Sequence, residues 1–153
     1  MTAEQRINEL GLDLSAPAAP VANYVPAVTS GKLVFMSGQG PRRPDGTGMI
    51  TGKVGVDLDV EEGYQAARQV GIALLAALQN HIGSLDNVSR VVKLLGMVNA
   101  APDFHDHPKV INGASDLLVE VFGEDGKHAR SAVGMGSLPM GIAVEIEMIV
   151  EIK

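Results

Sequence analysis

Between Val144 and Ile152 apolar and acidic side chains alternate residue by residue. Val144, Ile146, Met148, Val150 and Ile152 share one side, and Glu145, Glu147, Ile149 and Glu151 share the other. Successive side chains of a strand point to opposite faces, so this period of two predicts a strand over 142–152 with one apolar face. The run Val91-Val92-Lys93-Leu94-Leu95-Gly96-Met97-Val98 is apolar almost without a break, and 88–98 reads as a strand buried on both faces. A further strand is predicted over 130–137, joined to the last one through Leu138-Pro139-Met140-Gly141. Three short candidates precede these, at 21–28, 33–37 and 49–54. They are separated by Thr29-Ser30-Gly31-Lys32 and by Pro41-Arg42-Arg43-Pro44-Asp45-Gly46, both of which are turn chemistry.

Helical periodicity occupies the intervals. Tyr64, Ala67, Gly71, Leu74, Leu78 and Ile82 recur with a period near 3.6, Asp59 and Glu62 stand where a capping box requires them, and Gly83 closes the segment. A second helix is predicted from about Pro108 to Phe122, with Val110, Ala114, Leu117, Leu118 and Val121 on one face. A short helix over 2–10 has Thr2 and Gln5 as its capping pair and Gly11 as its stop; the Pro- and Ala-rich stretch 15–20 follows. Residues 1–16 are therefore expected to form an N-terminal helical arm and 17–153 a single domain. The order of elements predicts an α+β fold, a sheet of about six strands with two helices on one face. Two helices do not cover both sides of a sheet, so its other face is expected to pack against further copies of the chain.

Length and composition narrow the class. A chain of 153 residues suits one domain, and the absence of cysteine removes disulfides, thiolate metal ligands and a cysteine nucleophile. No apolar run approaches the length of a membrane span and the N-terminus is polar, which leads to the expectation of a cytoplasmic protein. A net charge of −6 opposes tight binding to a phosphate backbone, and Arg42-Arg43 is the one adjacent basic pair.

Candidate chemistry lies in a few places. Ser37-Gly38-Gln39-Gly40-Pro41 contains a Gly-x-Gly, but prolines and arginines follow it where a dinucleotide fold needs a helix. Gly38 is either a tight strand end or an exposed amide within reach of a ligand oxygen. His105-Asp106-His107, with His128, is a weak metal motif, and Asp106 or His107 serves more simply as a helix cap; no metal is expected. Glu145 and Glu147 share a strand face and are either a solvated acidic edge or, in a cleft between subunits, a carboxylate pair with one proton carrier. Arg130 precedes the small and apolar run 131–136. It is either a surface arginine or a bidentate clamp for a substrate carboxylate. If Pro139 and Met140 formed the tip of a hairpin, residues 130 and 149 would face each other and Glu145 would lie roughly 13 Å from Arg130 along the strand.

Taken in order, Tyr24, the segment 31–39, the stretch 86–93, Asp103-Phe104, Asn112, Ala129-Arg130-Ser131, Leu138-Pro139 and 144–147 resemble the RidA, or YjgF/L-PSP, family. The fifteen-residue interval from Arg130 to Glu145 matches the family spacing. The resemblance implies a chorismate mutase-like fold and a homotrimer with clefts between subunits. It also implies cofactor-free hydrolysis of reactive imines and enamines to keto acids and ammonia. By the same resemblance Arg130 holds the substrate carboxylate and Glu145 orients or deprotonates the attacking water. Tyr24, Ser37, the Gly38 amide and Asn112 line the pocket, and Ala132 stands where the family often has cysteine. A second reading is a non-catalytic trimer that binds a small carboxylate as sensor or chaperone, and a third, against the acidic charge, is the ribonuclease activity attached to the L-PSP name. The chain departs from the pattern at Pro26, where active members usually carry glutamine, at Ala132, and in a longer segment between Phe104 and Asn112.

Overall fold

The computed structural model of the chain describes every residue except Ala18 and Val21. Both capping boxes written in the sequence are formed. Thr2 and Gln5 exchange bonds at the start of α1 (Ala3–Leu10), and Asp59 and Glu62 do so at the start of α2 (Val60–Ile82). α3 (His107–Phe122) begins differently. Asp106 occupies the cap position without a side-chain capping bond and lies 3.5 Å from Lys109, while Pro108 sits in the first turn, where its missing N–H costs nothing.

The strands are β1 (Ala27–Ser30), β2 (Leu33–Gln39), β3 (Val88–Asn99), β4 (Ala129–Met135) and β5 (Val144–Ile152). They form one sheet in the order β1-β2-β5-β3-β4. β5 runs antiparallel to both of its neighbours, and β4 runs parallel to β3. The hairpin between the last two strands is not formed. After β4 the chain turns through a short 3-10 segment, Pro139–Gly141, and β5 inserts between β2 and β3. Its apolar face accounts for this placement: Val144, Ile146, Met148 and Val150 are at most 1% exposed there, which an edge position would not achieve.

The sheet has five strands where the sequence suggests six. Residues 49–54 make only single bridges, such as Thr51 to Ile142 and Val54 to Ala100. Gly48, Gly52 and Gly55 hold φ at 118°, 122° and 100°, outside the extended region that a continuous ladder needs. The first strand begins at Ala27, not at 21. Pro26 has no N–H to give a ladder, and Tyr24 N donates instead to Ala22 O within a bend. Val21 itself lies outside the described residues.

α2 lies over β2 and β5, and α3 over β3 and β4, so both helices cover one face. They approach closely because glycines stand at the crossing: a Cβ on Gly71 would come 2.9 Å from Leu117, and one on Gly113 would overlap the Tyr64 carbonyl. α1 is docked against this layer. Ile7 joins the core, and the Glu4 carboxylate accepts hydrogen bonds from Gln79 Nε2, Ser84 Oγ and Leu85 N. Among the described residues no helix covers the opposite face of the sheet. Within this chain β3 is thus buried on one face only: Val91, Leu94 and Val98 are sealed, while Val92, Leu95 and Met97 are part-exposed. No helix among the described residues is long and apolar enough to cross a membrane.

Candidate functional site

β2 breaks register against β5 between Met36 and Gln39, and Ser37 and Gly38 fall in the irregularity without ladder partners. Such a bulge turns backbone and side chains away from the regular pleat. Ser37 Oγ donates to Val25 O at 2.6 Å and its amide to Pro26 O at 2.9 Å, which ties the segment bearing Tyr24 to the end of β2. A cleft of about 530 Å³ opens at this corner, lined by Tyr24, Ser37, Gly38, Met140, Glu145 and Glu147 among others.

Gly38 is required by Glu145. A Cβ there would stand 2.6 Å from Glu145 Oε2, so the carboxylate lies over a backbone that only glycine leaves open. Glu145 is half-buried. Desolvation, and secondarily the neighbouring charge of Glu147, raises its pKa above the ordinary carboxylate value. Met140, in the turn at the rim, is the one described non-glycine residue with positive φ (57°) and is 71% exposed.

Arg130 is not in this cleft. It stands opposite Leu94, whose side chain is sealed under the helices, whereas Glu145 stands opposite Met97. Positions 94 and 97 of β3 point to opposite faces, and cross-strand partners share a face. Arg130 and Glu145 are therefore separated by the sheet. On the helix side, Arg130 Nη1 donates to Asn112 Oδ1 at 2.8 Å and to Ser115 Oγ at 3.1 Å. Ala132, two residues along β4, packs part-buried against the core on the same side. Among the described residues no acid pairs with Arg130, and no acceptor takes its Nε or Nη2.

The residues singled out in the sequence thus divide into two groups. Tyr24, Ser37, Gly38 and Glu145 lie together at one corner; Arg130, Asn112 and Ala132 lie together along α3 and β4. Ser115 and His128 belong with the second group, with His128 Nε2 2.9 Å from Ser115 Oγ and Nδ1 2.7 Å from Gly126 O. Ser115 is a position that the sequence alone can flag, since it falls one helical turn after Asn112. The three histidines considered as metal ligands are not gathered: among the described residues no group of three potential ligands is close enough to hold a metal. His107 instead packs edge-on against Phe104, at 5.3 Å between ring centroids, and leans on Gly134. The longer segment before α3 is held down by these contacts and by Phe104 lying over Gly55. His81 is hydrogen-bonded to Thr29 Oγ1 at 2.8 Å.

The similarities of the chain extend over nearly its whole length. A sequence model of the family described as YjgF/chorismate mutase-like, a description that also carries an endoribonuclease name, matches residues 4–152. Protein TCP17 of Trypanosoma cruzi is 47% identical over 148 residues, covering 96% of this chain and 92% of that one. The crystal structure of Atu1372 from Agrobacterium tumefaciens, a protein of unknown function, superposes with a TM-score of 0.88 at 44% identity, covering 99% and 92% of the two chains. A protein of Dermatophagoides farinae named 2-iminobutanoate/2-iminopropanoate deaminase is 31% identical over 142 residues, covering 92% of this chain and 95% of its own. With a family model matched over residues 4–152 and a relative 47% identical along nearly the whole of both chains, the chain belongs to the RidA/YjgF family.

Proposed function

We propose that this protein is a cofactor-free hydrolytic deaminase of small carboxylated imines or enamines, with its active sites completed between the subunits of a homotrimer. The observation that carries the reading is Arg130. It is a half-buried guanidinium held by two neutral oxygens, with Nε and Nη2 left to receive an anion. A planar carboxylate matches that fork, and the fixed Nη1 reduces the freedom lost on binding. The relative named as an imine deaminase supplies the reaction class.

In this reading the clamped substrate presents its C=N carbon to the cleft of a neighbouring subunit. Water adds to that carbon, Glu145 takes the proton released, and the nitrogen is protonated to leave as ammonia while the C–N bond breaks and the carbonyl forms. An imine carbon is already electrophilic, so a placed water and a proton carrier suffice. The raised pKa of Glu145 makes it a stronger base than an exposed carboxylate. A trimer is supported by the separation of Arg130 from Glu145 and by the apolar content of the open face, where Phe35 is 44% and Val133 37% exposed.

One observation favours a second reading. A single copy already contains the complete carboxylate clamp without Glu145, which suits a non-catalytic sensor of small carboxylates. The endoribonuclease name attached to the family has less support, because a chain of net charge −6 offers few cations to a phosphate backbone. Ammonia release from 2-iminopropanoate, generated in the cuvette by an amino-acid oxidase, decides between them. A deaminase accelerates it and loses that effect in Arg130→Ala; a sensor binds pyruvate and leaves the rate unchanged.

A further inference from the structure

Behind Arg130 three hydrogen bonds run in line back to the main chain. Gly126 O lies 2.7 Å from His128 Nδ1, His128 Nε2 lies 2.9 Å from Ser115 Oγ, and Ser115 Oγ receives Arg130 Nη1 at 3.1 Å. A carbonyl oxygen only accepts, so Nδ1 carries the ring proton. In a neutral imidazole Nε2 is then an acceptor, the Ser115 hydroxyl must donate to it, and the lone pairs of that oxygen turn toward Arg130. Each member of the chain fixes the direction of the next.

We propose that His128 and Ser115 are positioning residues that aim the Arg130 guanidinium, and that protonation of His128 weakens the affinity of this site for carboxylates. The proposal rests on Arg130 as the carboxylate clamp, and it adds a control that the clamp alone does not have. When Nε2 gains a proton, Ser115 Oγ faces two cationic donors at once. Its own hydrogen must leave the relay, and a second positive charge stands beside the guanidinium. Arg130 Nη1 keeps Asn112 Oδ1 but now shares Ser115 Oγ with a second cation, and repulsion between the two charges turns the guanidinium away from the direction that the neutral relay sets.

Burial holds the pKa of His128 below its ordinary 6.5 against the Gly126 bond, which raises it, and the charge of Arg130 adds a smaller lowering. The other charged groups on the elements around the ring are engaged elsewhere or face away. Asp116 accepts from Tyr64, Glu120 pairs with Arg68, Glu124 with Lys127 and Asp106 with Lys109; Asp125 is exposed, and Lys93 reaches Ser131 on the opposite face. The relay is therefore set at neutral pH and lost on acidification below the ordinary histidine range.

The test combines an NMR titration of the His128 ring nitrogens with calorimetric binding of pyruvate to the intact protein. His128 is expected to be protonated at Nδ1, to titrate below the ordinary range, and to move upward in Arg130→Gln. Ser115→Ala should weaken pyruvate binding about tenfold, the size of one lost hydrogen bond to a charged group. His128→Gln keeps an acceptor for Ser115 but has no proton to gain. Whatever affinity it retains at pH 8, its pyruvate binding should show no acid limb. A His128 midpoint indifferent to Arg130, wild-type affinity in Ser115→Ala, or an acid limb that survives in His128→Gln would each overturn the relay. Coupling between His128 and Arg130 in a protein that binds no pyruvate would instead overturn the carboxylate reading beneath it.

Discussion

Arg130 and Glu145 lie on opposite faces of one sheet, Arg130 level with Leu94 and Glu145 level with Met97 three residues further along β3. In the proposed reaction the two act on one substrate although a layer of backbone divides them, and a second copy of the chain is the simplest way to bring them together.

This separation makes a complementation experiment decisive. Arg130→Ala and Glu145→Gln should each lower kcat/KM for imine hydrolysis by about 100-fold or more, the scale of two lost charged hydrogen bonds or of one lost general base. Unfolded together and refolded as mixed trimers, the two inactive variants should recover activity in about a quarter of the sites, those pairing an intact Arg130 with a neighbour's intact Glu145. Absence of recovery in trimers shown to be mixed would place both residues in separate functions.

The Glu145 carboxyl has a definite signature in stability against pH. Its folded pKa is raised above the ordinary 4.5, so between those two values the folded state binds more protons than the unfolded one. Stability falls as pH rises through that interval, and the loss persists at neutral pH. Glu145→Gln, which cannot ionise, is expected to melt higher than the parent at pH 7 and alike at pH 4. Solvent access to the carboxylate keeps the difference small. A lower melting temperature at pH 7 would show that the ionised form is stabilised here.

Gly38 and Glu145 are linked by space alone. Gly38→Ala places a methyl group 2.6 Å from where Glu145 Oε2 now lies, so the carboxylate must move. An active-site group displaced by an ångström commonly costs about 100-fold in rate. The expected result is that loss in kcat with pyruvate affinity unchanged, because Arg130 lies on the other face. Equal losses in rate and in binding would contradict the two-faced arrangement.

Much of this architecture was legible in the chain. The two capping boxes, the glycine stops and the alternation in 144–152 each gave an element with its bounds nearly right, because those signals are local. What failed was long-range. Nothing near Pro139 or Met140 states that β5 leaves its sequence neighbour to pair with β2 and β3; that choice is made by burial of Val150 and Met148 across the whole sheet. The extra strand at 49–54 was suggested by composition and undone by positive φ at Gly48, Gly52 and Gly55. Of the candidate site, Arg130, Asn112 and Glu145 were singled out through spacing and resemblance. Ser115 was missed, because its spacing one helical turn after Asn112 gains meaning only once Arg130 is placed beside both.

Gly113 offers a test of the helical layer independent of any activity. A Cβ there would overlap the Tyr64 carbonyl of α2, and main chain yields less readily than a side chain. Gly113→Ala should destabilise the fold by about 3 kcal/mol despite its better helix propensity. Chemical unfolding reads this directly, and a neutral or stabilising effect would mean that α2 and α3 have room to separate.

Phe35 carries the argument for assembly. It faces away from the helices opposite Ile149, is 44% exposed in one chain, and borders a shallow cleft of about 490 Å³ with Leu95, Ser131, Lys93 and Glu147. A side chain of this size left half in water beside part-exposed Leu95 fits the cover from another subunit that we propose. Phe35→Glu would bury an unpaired carboxylate in that interface, at a cost of several kcal/mol, while leaving the helix side of the sheet untouched. The variant is expected to sediment as a single chain with the parent's circular dichroism and to release no ammonia, even though Arg130, Glu145 and Gly38 are all intact. A parent that itself sediments as one chain, or a monomeric variant that keeps its activity, would remove the shared site and confine the chemistry to one face.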